Sequence, residues 1–209
     1  SSHMQLPYEE PLDSMLSTRA SHMDLMVSMG ADAVGVTMCA PTNNPTVTMG
    51  NGLIKNEWGM IFKDSGQYNE FYEFPLAHAE TAKDIEEYSF PDPFATGRWD
   101  AAKETIDKYG QTHGVIGDLE TTLFETAWYL TGLEKFLMDI MLEAEYINPL
   151  LDKIQSIHAE YGKKMIEMGV DVLWCGDDFG TQDSLMMDPD TFRRVFKPRI
   201  KTMFDEFRR

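Results

Sequence analysis

Two clusters of carboxylates stand at the ends of short apolar runs, and they are the residues best placed to do chemistry. The sharper is Cys175-Gly176-Asp177-Asp178-Phe179-Gly180-Thr181-Gln182, which closes the run Val170 to Cys175. The second is Gly117-Asp118-Leu119-Glu120, closing the run Gly114 to Leu119. In parallel α/β folds, side chains at strand C-termini and in the loops after them face the active site. Adjacent aspartates repel one another unless a cation or a cationic substrate sits nearby. Asp177, Asp178, Asp118 and Glu120 are therefore the candidate catalytic residues. The competing account is structural: one aspartate caps the next helix and the other is solvated.

Gln182, Trp58, Tyr129 and Trp128 are the candidates for substrate contact. Trp58 stands beside glycine in Asn56-Glu57-Trp58-Gly59, where an indole can wall a pocket or simply pack. Trp128 and Tyr129 follow the second carboxylate cluster and suit a core equally well. His78, His113 and His158 have no partner at metal-ligand spacing, so no metal ligand is assigned. Asp178-Phe179-Gly180 spells the magnesium-binding triplet of protein kinases. No HRD-type loop or kinase glycine loop accompanies it, which excludes that class.

Positioning such clusters requires strands and helices in a regular order. Ala33 to Met38, Gly114 to Leu119 and Val170 to Cys175 are brief, rich in β-branched residues and bounded by glycine or charge, and predict three buried strands. Met29-Gly30-Ala31-Asp32-Ala33-Val34 matches Met168-Gly169-Val170-Asp171-Val172-Leu173: a helix end, a glycine, one residue, an aspartate, then a strand. That repeat predicts helix-to-strand units and a parallel sheet. The apolar face at Ile147, Leu150, Leu151, Ile154, Ile157, Tyr161, Met165 and Met168 predicts a helix that stops at Gly169. Thr131-Gly132-Leu133-Glu134 has capping-box spacing before another helix. Asp188-Pro189 opens a third helix, which Pro198 should interrupt or end. Between the first two strands, Pro41 to Ala95 is too long for a bare loop and must carry small elements of its own.

Composition narrows the classes further. The net charge of −17 repels nucleic-acid phosphates and anionic lipids, so neither is an expected partner. No apolar run is long enough to cross a membrane. Cys39 and Cys175 lie far apart without CxxC spacing, which fits a reducing compartment and a cytoplasmic location. Ser1-Ser2-His3-Met4 reads as an expression-tag remnant, leaving residues 5–209 as one domain.

Asn56-Glu57-Trp58-Gly59 and Tyr88-Ser89-Phe90-Pro91-Asp92-Pro93 resemble the opening segments of uroporphyrinogen-decarboxylase-like proteins. Phe124 to Glu134 resembles that superfamily's third-strand helix. Gly176 to Gln182, with Asp188-Pro189 and Phe196-Lys197-Pro198-Arg199, is similar to its fourth-strand block. The resemblance covers about residues 20 to 209, with the blocks in the right order. It implies a (β/α)8 TIM barrel with its site at the strand C-termini, present here as a partial barrel, because such a barrel needs about 250 residues.

Members of that superfamily either decarboxylate uroporphyrinogen or exchange methyl groups with a corrinoid cofactor. The arginine-rich glycine-tyrosine segment and Phe-Ser-Asp-like turn of the decarboxylases are not found here, and Tyr129 or Trp128 stands where they carry a tyrosine. The Asp-Asp-Phe-Gly block resembles the methyltransferase branch instead. That branch implies zinc and a corrinoid, with the zinc ligands expected beyond Arg209, and a small-molecule substrate or corrinoid protein as partner. The rival readings are a porphyrinogen decarboxylase and a catalytically inactive assembly module. Ile200, Met203, Phe204 and Phe207 form a helical stripe expected to lie uncovered and to drive self-association.

Overall fold

The computed structural model describes residues 19–66 and 68–208, so the tag remnant and the domain start at residue 5 lie outside the described residues. In chain order the elements are α1 (Arg19–Ser28), β1 (Ala33–Val36), β2 (Val47–Thr48), β3 (Leu53–Lys55), β4 (Ile61–Asp64), β5 (Asn69–Glu73), α2 (Ala82–Glu86) and α3 (Asp100–Tyr109). Then follow β6 (Gly114–Thr121), α4 (Phe124–Thr131), α5 (Leu133–Met141), α6 (Ile147–Met168), β7 (Val172–Gly176), the short α7 (Pro189–Thr191) and α8 (Lys197–Phe207).

The three predicted strands form one parallel sheet in the order β1-β6-β7. The repeated grammar has a common geometry: Gly30 and Gly169 both sit at φ 93°, a left-handed conformation that glycine adopts without a Cβ clash. Asp171 in the second copy accepts the backbone N–H of Val115 at 2.8 Å, tying β7 to β6. The strands begin and end elsewhere than expected. Val170 is taken by the end of α6, its N–H donating to the Met165 carbonyl, so β7 starts at Val172. β1 stops at Val36 because the Thr37 hydroxyl turns to the Asp118 carbonyl at 2.8 Å. β6 instead runs on to Thr121.

One face of this sheet is covered. Val34, Val36, Val115 and Leu119 are buried, and α1, α3 and α6 pack over them. On the other face Ile116, Val172 and Trp174 are exposed by 37%, 55% and 54%. The register places Ile116 beside Val172 and Asp118 beside Trp174, so these residues share that face. A parallel strand is ordinarily buried on both sides. The chain is thus a mixed α/β protein whose parallel sheet matches the expected partial barrel, with the side that would be the barrel interior uncovered.

The long segment after β1 carries a four-stranded antiparallel sheet, β2-β3-β4-β5, each strand pairing with the next. Phe71 of β5 attaches it to the helices, with ring centroids 5.3 Å from Trp128 and 4.6 Å from Tyr129. The largest core surrounds α4, α5 and α6 and includes Phe124, Phe136, Leu150, Ile154 and Phe196.

Two expectations change and one is settled. Thr131 forms no capping box, because its hydroxyl donates to the Ala127 carbonyl inside α4, and Gly132 at φ 90° takes the N-cap position of α5. Pro198 interrupts its helix rather than ending it: a π-helical turn over Phe192–Phe196 separates α7 from α8, which carries Pro198 in its first turn and runs to Phe207. The Ile200, Met203, Phe204 and Phe207 stripe is mostly covered. Met203 is buried, Ile200 packs on the main core and Phe207 lies on Gly162 of α6, leaving Phe204 exposed. The apolar surface left open is on the sheet.

Candidate functional site

The ends of β6 and β7 bring the two carboxylate clusters together. The strands are neighbours, with Asp118 opposite Trp174 and Thr121 opposite Gly176, and an irregularity in register between Asp118 and Thr121. Inside that bulge Glu120 adopts φ 53°, a left-handed conformation that non-glycine residues rarely take. Its backbone N–H donates to Asp118 Oδ1 at 2.7 Å. Strain of this kind at a strand end is a mark of functional sites.

Asp177 is turned toward α4. Its Oδ2 accepts the Thr122 hydroxyl and the Leu123 N–H, both at 2.6 Å, and its Oδ1 accepts the Glu125 N–H at 2.9 Å. The capping role foreseen for one aspartate is thus filled, but on the helix that follows the neighbouring strand. Asp178 is exposed. Its backbone N–H donates to Glu125 Oε2 at 3.0 Å, while Glu125 Oε1 accepts the Tyr129 hydroxyl at 2.8 Å. Burial, then the Glu125 hydrogen bond, with Asp177 and Glu120 nearby, raises the Tyr129 phenol above its ordinary pKa. It therefore stays protonated and donates.

Cys175 alternates to the helix-covered face of β7, among Leu119, Tyr161 and Met165. Burial, then Asp177 and Asp118, pushes its thiol up to about 11, so it is not a thiolate at neutral pH. His158 of α6 is buried, with Nδ1 against the Ile154 carbonyl at 3.0 Å. Desolvation lowers its pKa despite contact with the Thr121 carbonyl and the charge of Asp177.

The other candidates fall into separate surroundings. Trp58 stacks on His158, with ring centroids 5.8 Å apart and planes at 17°, and meets Phe90 edge-on. Trp128 is packed with Phe71 and Tyr129 beneath the antiparallel sheet. Gln182 is exposed in a loop closed by the Gly180–Leu185 bridge.

Sequence reasoning missed Glu125, whose position in the first turn of the helix after a strand could have marked it. It also missed Trp174 and Arg98. Arg98 is fully buried, with Nη1 on Glu57 Oε1 at 2.6 Å, Nη1 on the Cys39 carbonyl and Nε on the Asp92 carbonyl. Among the described residues no group of three or more His, Cys, Asp or Glu side chains is placed to hold a metal ion, and no helix is long and apolar enough to cross a membrane.

Comparison with known proteins agrees with this architecture. The family model described as uroporphyrinogen decarboxylase (URO-D) matches residues 73–209. No curated protein matches. Among solved structures, a methyltransferase from Methanosarcina mazei has the same fold with a TM-score of 0.60 at 20% identity. The match covers 93% of this chain and 53% of that one, so the chain spans about half the length of that structure.

Proposed function

The chain belongs to the uroporphyrinogen decarboxylase family, and from that premise we propose that it is a methyltransferase-like member, acting in methyl transfer to or from a corrinoid cofactor. The observation that carries this reading is the charge at the strand ends. Asp118, Glu120, Glu125, Asp177 and Asp178 gather on and beside the tips of β6 and β7. Arg98 is withdrawn into an internal ion pair with Glu57. Uroporphyrinogen is a polycarboxylate, and an acidic rim repels it. A small methyl-bearing substrate that is neutral or cationic meets no such penalty. The fold shared with the Methanosarcina methyltransferase supports the same branch.

In this reading Asp178, Asp118 and Glu120 meet the substrate, and Gln182 borders it from the neighbouring loop. Asp177 acts through α4, whose first turn it holds. Glu125 fixes the backbone at Asp178 and orients the Tyr129 hydroxyl. Cys175, half-buried and a thiol at neutral pH, is not the methyl acceptor. The family resemblance implies zinc, but the described residues offer no suitable ligand group, so no step through zinc is assigned to them. Nor is a corrinoid ligand assigned: His158, buried beside the strand ends, already has Nδ1 at the Ile154 carbonyl.

The test is to mix the purified chain with methylcobalamin and a thiol acceptor and follow the cobalamin by its visible spectrum. Accelerated demethylation that Asp178→Asn slows at least tenfold is the expected result. Decarboxylation of uroporphyrinogen without any demethylation would sink the proposal. An assembly role without catalysis is favoured by a different observation, the uncovered face of the parallel sheet.

A further inference from the structure

We propose that Phe179 is a positioning residue for the strand-end site: its ring, seated between α4 and the π-helical turn before α8, fixes Asp178 on one side and the root of the Gln182 loop on the other. The inference rests on the reading of Asp178 and Gln182 as substrate-facing residues. Asp178 follows β7 in an irregular stretch, beyond the reach of the strand ladder. Its two neighbours are both turned inward. Asp177 is bonded to the first turn of α4, and the Phe179 ring lies 5.2 Å from each of Phe124, Phe192 and Phe196. With both neighbours held, the Asp178 side chain is left on the solvent side, where it is exposed.

The seat is shaped for a ring. Phe124 and Phe196 are fully buried and form its floor. Phe192 and Phe196 stand nearly parallel on the π-helical turn, with centroids 6.5 Å apart and planes at 22°. Phe179 meets them at 82° and 69°, the edge-to-face arrangement that aromatic quadrupoles favour. π-Helical turns are rare and concentrate at functional sites. This one sets two rings against the residue that follows Asp178. Phe179 also governs what comes after it. Its carbonyl accepts the Met186 N–H at 2.9 Å, and the Thr181 N–H donates to the Ser184 carbonyl at 2.7 Å, closing the loop that carries Gln182. One half-buried ring thus anchors both substrate-facing elements, whereas a purely structural phenylalanine serves the core alone. Phe136 is of that second kind, buried in the same core with its ring against Phe124 and Phe196.

The experiment compares Phe179→Leu with Phe136→Leu, two like truncations in one core. Demethylation of methylcobalamin gives kcat and KM, urea denaturation gives stability, and hydrogen exchange follows the amides of Asp178 and Met186. Phe179→Leu is expected to lower kcat at least tenfold with KM for methylcobalamin changed less than threefold, because the carboxylate is present but out of place. Exchange at Asp178 and Met186 should quicken at least tenfold in the same protein. Phe136→Leu should lower the urea midpoint at least as far, yet keep wild-type kcat and wild-type exchange at both amides. Phe192→Leu, which takes one ring from the seat, should reproduce the Phe179→Leu pattern in weaker form. Wild-type kcat and exchange in Phe179→Leu overturn the proposal, and so does an equal loss of kcat in Phe136→Leu. A wild-type chain that demethylates nothing sinks the methyl-transfer reading instead, and exchange at Asp178 and Met186 then decides by itself whether Phe179 holds the loop.

Discussion

Asp177, just beyond β7, accepts the backbone N–H of Glu125 at 2.9 Å, so the loop after one strand caps the helix after its neighbour. The same carboxylate accepts the N–H of Leu123 and the hydroxyl of Thr122. The first turn of a helix presents unsatisfied N–H groups and a partial positive charge, and a carboxylate there answers both. Through this contact the loop after β7 and the helix after β6 become one unit, because Glu125, whose N–H is held, in turn accepts the N–H of Asp178.

Removing that cap should loosen the unit. Asp177→Ala is expected to lower stability by about 1–2 kcal/mol, as losing a helix cap generally does. Asp177→Asn, which keeps an acceptor and loses the charge, should cost less. Urea denaturation gives the totals, and faster hydrogen exchange at Leu123 and Glu125 would localise the effect to α4. Equal exchange in all three proteins would refute it.

His158 gives a pH-dependent prediction. Burial lowers its pKa in the folded chain, so its contribution is fully present above the unfolded histidine value of about 6.5 and is lost as pH falls toward the folded value. Urea midpoints at pH 8, 6.5 and 5.5 should fall for the wild type. Carboxylates also titrate in acid, so the informative quantity is the difference from His158→Phe, which should lack the part of the decline that begins near neutrality. Parallel declines in both proteins would show that His158 is not its source.

The parallel sheet was legible because β-branched runs and the twin Gly-x-Asp turns are local signals, and Gly30 and Gly169 share one backbone conformation. α6 was legible for a similar reason: its apolar period runs unbroken from Ile147 to Met168. The site was only partly so. Sequence placed the carboxylates at strand ends, and the link from Asp177 and Asp178 to Glu125 of α4 depends on strand order, which no local pattern carries. The open face was hidden by the run Val172-Leu173-Trp174, apolar on both sides, which predicts burial on both faces. Pro198 left open whether the helix is interrupted or ends, and the widened turn before it interrupts the α-helix and lets it resume.

Arg98 belongs to the illegible part, since a charge on the sequence says nothing of burial and its partner Glu57 lies 41 positions away. Replacing Glu57 by Gln leaves a fully buried guanidinium without its counter-charge, and a loss of about 3–5 kcal/mol is expected. The double variant Glu57→Leu with Arg98→Met should recover part of that loss, because it removes both charges together. Thermal unfolding of the three variants beside the wild type measures this. A Glu57→Gln protein as stable as the wild type would mean that water reaches Arg98.

Glu120 offers the most direct test of whether the strand end is kept for function. At φ 53° a non-glycine residue costs about 1–2 kcal/mol relative to ordinary backbone conformations, and glycine adopts the same geometry freely. A purely structural position would do better with glycine. Glu120→Gly is therefore expected to raise stability by up to about 1 kcal/mol, less whatever contacts the side chain gives up and the greater freedom glycine brings to the unfolded chain. Demethylation of methylcobalamin should fall at least tenfold in the same protein. Glu120→Gln keeps the strain and most of the shape, so its stability should match the wild type while its activity falls. The two variants thus separate backbone from carboxylate. If both retain full activity, Glu120 leaves the candidate site, and the bulge between Asp118 and Thr121 is an accommodation of strand geometry alone.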